Sequence, residues 1–138
     1  MTEAILDPNV LVAAALNPGG APAVCLRAHA EGRFDLIVSE RLLAELESVL
    51  ARTKFRAYLS RDEAARFVAA LRRVAEIRPD PESAPSVAPR DPDDGYLVAL
   101  AESERAHVLV SGDRHLLELS HPQLRILAPR SFLERLPR

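Results

Sequence analysis

Residues 90–113 read RDPDDGYLVALAESERAHVLVSGD. Leu97, Val98, Leu100 and Ala101 recur as the buried positions of a helix do, and Val108-Leu109-Val110 then forms a short run that is apolar at every position. A strand with no polar alternation is buried on both faces, and a helix leading into it is half of a βαβ unit. Carboxylates stand at both ends of this unit. Asp91, Asp93 and Asp94 crowd its start, and Asp113 follows Gly112 directly after the strand, where a glycine lets the backbone turn sharply.

The same grammar extends outward in both directions. Ala4 to Leu6 reads as a buried strand ending at Asp7, followed by a helical turn or two over Val10 to Leu16, and Asn17-Pro18-Gly19-Gly20 breaks that helix. A second helix from Ala21 stops at Gly32, a natural left-handed cap. Phe34 to Val38 is the next strand. Ser39 caps a helix whose Leu42, Leu43, Leu46, Val49 and Leu50 repeat at three and four residues as a core-facing stripe. Ser60-Arg61-Asp62-Glu63 is a capping box, opening a helix with Ala64, Phe67, Val68, Leu71 and Val74 inward. Ile77 starts a short strand. Five of the eleven prolines fall between Pro79 and Pro92, which marks an ordered loop. A short helix over Arg114 to Leu119, a last strand at Arg125-Ile126-Leu127 and a terminal turn capped by Ser131 complete the chain. Strand and helix alternate throughout, so the expected fold is a three-layer α/β/α sandwich on a central, mostly parallel sheet, with residues 1–138 as a single domain.

Composition narrows the function classes. At 138 residues, 48% apolar and 28% charged, the chain can bury one core, and its formal charge of −2 singles out no partner. Lys54 is the only lysine, and a GC-rich genome is put ahead of phosphate binding as the explanation of that arginine bias. Cys25 stands alone in an apolar helix, which excludes an intramolecular disulfide and thiolate metal cages. The four histidines show no metal-ligand spacing. Val10 to Leu16 is too short to span a bilayer, and the start Met-Thr-Glu lacks a basic leader segment, so a complete cytoplasmic protein is expected.

In open α/β sheets, ligands bind beyond the carboxyl ends of the strands, and that rule singles out Asp7 and Asp113. Taken alone, Asp94 is a first-turn helix acid, Glu45 a solvated helix residue, and Asp91 and Asp93 turn acids. Taken together, Asp7, Glu45, Asp94 and Asp113 come from four elements that one sheet edge can gather. Two carboxylates about 6 Å apart repel by roughly 3 kcal/mol at an effective dielectric of about 20. Apart from Arg114, no cationic side chain lies within a residue or two of Asp7 or Asp113. A divalent cation is therefore the natural counter-charge, and an oxygen-only donor set suits Mg²⁺ or Mn²⁺ better than Zn²⁺.

At these residues the sequence resembles the PIN-domain family, and more closely its bacterial toxin-like branch. Ile5-Leu6-Asp7-Pro8-Asn9-Val10-Leu11 is similar to the opening strand motif, SERLLAELESVL (39–50) to the helix carrying the second acid, Asp94 to Ala99 to the third motif, and Val110-Ser111-Gly112-Asp113 to the fourth. The resemblance implies that Asp7, Glu45, Asp94 and Asp113 hold one or two Mg²⁺ or Mn²⁺ ions, with Asp93 and Asp91 the alternatives for the third acid. It implies hydrolysis of RNA phosphodiesters, a cognate antitoxin and a homodimer, the helix over residues 63–75 and the one before it being candidates for the dimer face. Arg41, Arg52, Arg114 and Arg130 are candidate phosphate contacts. Pro8 stands where the family more often has Thr or Ser, and Ser111 where it more often has Thr. A phosphate-accepting receiver domain also uses strand-end acids and Mg²⁺, but it needs an acidic pair at the first strand and a late lysine, and this sequence has neither. A catalytically inactive PIN-like RNA-binding or regulatory module is the alternative from another class.

Overall fold

The computed structural model describes residues 1–137. Its centre is β1 (Glu3–Leu6), in which Ala4, Ile5 and Leu6 are wholly buried. From there the chain runs through α1 (Pro8–Leu16), α2 (Ala21–Ala30), β2 (Asp35–Val38), α3 (Glu40–Leu50), α4 (Arg61–Val74) and β3 (Glu76–Ile77). It continues through α5 (Gly95–Glu104), β4 (Val108–Val110), α6 (Arg114–Leu117), β5 (Arg125–Leu127) and α7 (Pro129–Arg135). The strand order is β3-β2-β1-β4-β5, and all the described strand pairs are parallel, Ile5 lying opposite Leu109 and Leu6 opposite Val110. The sheet and its flanking helices form the three-layer α/β/α sandwich, parallel throughout where the sequence suggested mostly so.

This order creates the feature that positions the site. After β1 the chain builds outward to β2 and β3 on one side, and β4 and β5 fill the other. The direction of winding therefore reverses between β1 and β4, and a crevice opens beyond their carboxyl ends. Asp7 leaves β1 there, and Ser111 to Asp113 leave β4 beside it.

Local signals set most helix boundaries. Ser39, itself wholly buried, caps α3 by accepting the Leu42 N–H at 3.2 Å, and the five stripe residues of α3 are all buried. Ser60 and Glu63 form the reciprocal capping box at α4. Gly32 takes a φ of 78°, the left-handed turn expected after α2. Cys25 is fully buried against the core, and burial pushes its thiol up to about 11, so it is an inert packing residue. Pro79 to Arg90 contains no helix or strand.

Two expectations need correction. Val74 is 58% exposed although the α4 stripe placed it inward. Helix α4 packs on α3, so only Val68 and Leu71 become buried and the last turn stays in solvent. Ser131 does not cap the terminal helix. That helix begins at Pro129 with Ala128 at its cap, because proline presets the helical φ and lacks the N–H that the first turn leaves unpaired. No single helix among the described residues is long and apolar enough to cross a membrane. Helices α1 and α2 reach that composition only jointly, and they bend by 96° at the Asn17–Gly20 break.

The packing difference between α3 and the end of α4 is measurable. Leu46→Ala should lower unfolding stability by about 2–5 kcal/mol in urea titration, whereas Val74→Ala should change it by less than about 0.5 kcal/mol.

Candidate active site

Asp7 follows β1 and caps α1. Its carboxylate is 3% exposed, accepting the Asn9 N–H on Oδ1 at 2.9 Å and the Ser111 hydroxyl on Oδ2 at 2.8 Å. Its own N–H donates to the Val110 carbonyl at 2.9 Å, so the residue is sewn to β4 through backbone and side chain together. Burial raises the Asp7 pKa above the usual aspartate value, its two hydrogen bonds pull it down, and the charges of Glu45 and Asp113 raise it again. Pro8 occupies the first helical position. It removes a hydroxyl but no backbone bond, because Asn9 supplies the N–H that the Asp7 cap needs.

Ser111 is the residue whose role the sequence did not disclose. Wholly buried, it donates Oγ–H to Asp7 and accepts the Asp113 N–H at 3.0 Å on the same oxygen. One hydroxyl thus links the first acid to the backbone of the last. Asp113 caps α6 by accepting the His115 N–H at 2.8 Å, which explains His115 as a capping neighbour through its backbone, its side chain being exposed.

Asp94 closes the short 3₁₀ turn Pro92–Asp94 and starts α5, yet its side chain makes no capping bond. Its Oδ2 is buried without a hydrogen-bond partner among the described residues. Burial, then the charges of Asp7, Asp113 and Asp91, push its pKa up to about 7. The charges of Asp7 and Asp113 therefore both act on Asp94. Asp91 instead spends an oxygen on the Asp93 N–H at 3.0 Å, and Asp93 is exposed.

Glu45 reaches the edge of the crevice from α3. Its Oε2 accepts the Tyr96 hydroxyl at 2.6 Å, and the Arg41 guanidinium lies 4.4 Å above the Tyr96 ring. Burial and the Glu45 bond raise the Tyr96 pKa, which keeps the phenol a donor. Arg41 precedes Glu45 by four residues, one helical turn on the same face, and Tyr96 follows Asp94 by two; those spacings were the available signals for this cluster. Of the other candidate phosphate contacts, Arg114 directly follows Asp113 and Arg130 opens α7, while Arg52 lies beyond the far end of α3.

The charges of Glu45 and Asp113 act on Asp7, those of Asp7 and Asp113 act on Asp94, and none of the four acids is in an ion pair among the described residues. They are not drawn to ligating distance: among the described residues no three carboxylate, imidazole or thiolate groups stand close enough to hold a metal ion as placed. Each of Asp7, Asp113 and Glu45 is held by a donor of the protein itself, which offsets part of the repulsion that convergence would create. The donor set nevertheless fits a hard cation. It is all oxygen, and the unpartnered buried Oδ2 of Asp94 calls for a positive charge or a proton.

A family model described as PIN domain matches residues 3–115. Among solved structures, the fold resembles VapBC2 from Rickettsia felis, crystallised bound to a DNA fragment from their promoter, with a TM-score of 0.63 and 15% identity over 91% of this chain and 97% of that one. It also resembles PAE2754 from Pyrobaculum aerophilum, with a TM-score of 0.65 and 18% identity over 96% of this chain and 88% of that one. At such identities the structural likeness speaks for the fold alone. A search of curated proteins found no significant match.

Two stability measurements check the geometry of this edge. The raised Asp94 pKa means that the fold favours the protonated acid: the penalty for its carboxylate is absent below about pH 4, grows as pH rises, and is complete above about pH 7. Asp94→Asn should therefore raise the melting temperature of the metal-free protein by a few degrees at pH 8 and hardly at all at pH 4.5. Ser111→Ala removes a buried hydroxyl that serves two partners and should lower stability by about 1–3 kcal/mol.

Proposed function

The chain belongs to the PIN-domain family, and from that premise we propose that it is a metal-dependent endoribonuclease acting as the toxin of a toxin-antitoxin pair. PIN domains are generally nucleases and generally use divalent metal ions, so the proposal lies in the substrate, the ion, the residues and the biological setting. The single observation that carries it is the buried, unpartnered Oδ2 of Asp94, a residue on which the charges of Asp7 and Asp113 act.

Asp7, Asp94 and Asp113, with Glu45 at the rim, would hold Mg²⁺ or Mn²⁺. When bound, such an ion supplies the positive charge that makes a water acidic enough to attack phosphorus and that offsets charge on the departing 3′ oxygen. Ser111 fixes the direction of the Asp7 carboxylate and anchors the turn that presents Asp113. Asp94 Oδ2 is the open acceptor of the site, for the cation or for the proton of the attacking water. Tyr96 holds Glu45 at the rim, and Arg41, stacked on Tyr96, would meet a flanking phosphate of the strand. With no Trp, two Tyr and four Phe in the chain, base stacking contributes little to selection.

The toxin reading is supported by the resemblance of the four motifs to the toxin-like branch and by the likeness of the fold to VapBC2. It brings with it a cognate antitoxin that covers the acidic crevice, a homodimer, a cytoplasmic setting, and residues 1–138 as one functional unit. The exposed side chains of Tyr58 and Val74 beside α4 give a dimer face something to cover.

The test is incubation of the purified protein with structured RNA and Mn²⁺ beside an Asp7→Asn variant. The parent should cleave, and the variant should lose at least about a hundredfold in rate while keeping its fold by circular dichroism. Cleavage by both proteins, or by neither, defeats the nuclease assignment, and the second result restores the inactive binding module.

A further inference from the structure

At the opposite edge of the sheet, a cavity of ≈ 680 Å³ opens below the amino ends of β4 and β5, against the last turn of α7. That volume falls in the range of small-molecule sites. Its lining includes Arg105, Arg125 and Arg135 with His107, and among its apolar residues Pro122 and Leu127 keep accessible surface. Among the described residues no aspartate or glutamate lines it. A chain of formal charge −2 thus places three arginines around one hollow, on the side of the sheet away from its clustered acids.

These cations are not spent on the fold. The ion pairs among the described residues use Arg72, Arg78 and His121, and none of the three lining guanidinium groups makes a hydrogen bond to another described residue. Glu102, which borders an adjoining hollow, is taken by His121 Nε2 and by Ser86. His107 Nδ1 accepts the Glu3 N–H at 2.9 Å, which leaves its Nε2–H as a donor. A second, independent observation concerns Arg105. It ends α5 at φ 53°, ψ 39°, a left-handed cap where glycine or asparagine is the ordinary choice, and it is the one non-glycine residue with positive φ among those described. An arginine there gives the backbone nothing that glycine would not give better, so its side chain is the reason for its presence.

We propose that this cavity is an anion site for a phosphate-bearing ligand of nucleotide size, the phosphate meeting the arginines and the organic body lying against Pro122 and Leu127. Planar guanidinium groups match phosphate oxygens in pairs, and the half-apolar wall suits a ligand larger than inorganic phosphate. Either a free nucleotide or the terminal phosphate of an RNA strand presents this chemistry. The site is independent of the acidic crevice and stands whether or not the protein cleaves RNA.

The test is isothermal titration of the full chain in EDTA with inorganic phosphate, a nucleoside monophosphate, and a short RNA bearing either a 5′-phosphate or a 5′-hydroxyl. The nucleoside monophosphate should bind more tightly than inorganic phosphate. Arg105→Gly should weaken it about tenfold while leaving the melting temperature equal or higher, since glycine relieves the left-handed backbone; Arg125→Gln, on an exposed strand residue, should weaken it similarly. Asp7→Asn should leave it unchanged. Tighter binding of the phosphorylated RNA than of the hydroxyl form identifies a strand end as the source, and binding of the mononucleotide alone identifies a free nucleotide. The proposal falls if no phosphorylated probe binds, if both arginine variants bind as the parent does, or if Asp7→Asn abolishes binding.

Discussion

Ser111 Oγ stands between two acids that repel each other, donating to the Asp7 carboxylate and accepting from the Asp113 backbone. The edge of the sheet depends on this arrangement because burial pushes the Asp7 pKa up. The hydroxyl and the Asn9 N–H counter that pressure without adding charge. Asp94, whose Oδ2 has no such donor among the described residues, is pushed up to about 7.

The sheet makes such an arrangement affordable. Leu6 pairs with Val110 and Val110 with Leu127, so the three strands that frame the crevice are locked in register before any loop begins. Asp7 and Ser111 are each the first residue after a strand, and their N–H groups continue the ladder to Val110 and Leu127. Asp7, and through Ser111 the turn to Asp113, are thus anchored to the strand ladder. Glu45 and Asp94 arrive on helices instead, α3 and α5, and are joined across the gap by Tyr96.

The molecule is electrically polar along its strands. Acids collect where the parallel strands end, and free arginines collect where β4 and β5 begin. A small negative net charge conceals this separation, because opposite clusters cancel in the sum while acting at different surfaces.

Continuous apolar runs in β1, β2 and β4 determined the parallel sheet by themselves, since only strands covered on both faces can omit polar residues. The Ser39 cap, the Ser60 capping box and the Gly32 turn were equally local and equally legible. Asp7 and Asp113 followed from their position at strand ends. What the tertiary structure decided is whatever depends on residues far apart in the chain. It alone placed Ser111 between Asp7 and Asp113, left Asp94 Oδ2 buried without a partner among the described residues, gave Glu45 to Tyr96 and gathered three arginines around one cavity. It also left Val74 in solvent, because periodicity fixes which side of a helix is apolar but not how much of that side its neighbour covers. A sequence reports a residue's near neighbours through spacing, whereas hydrogen bonds and charge coupling are set by distances in space that exist only after the strands have chosen their order.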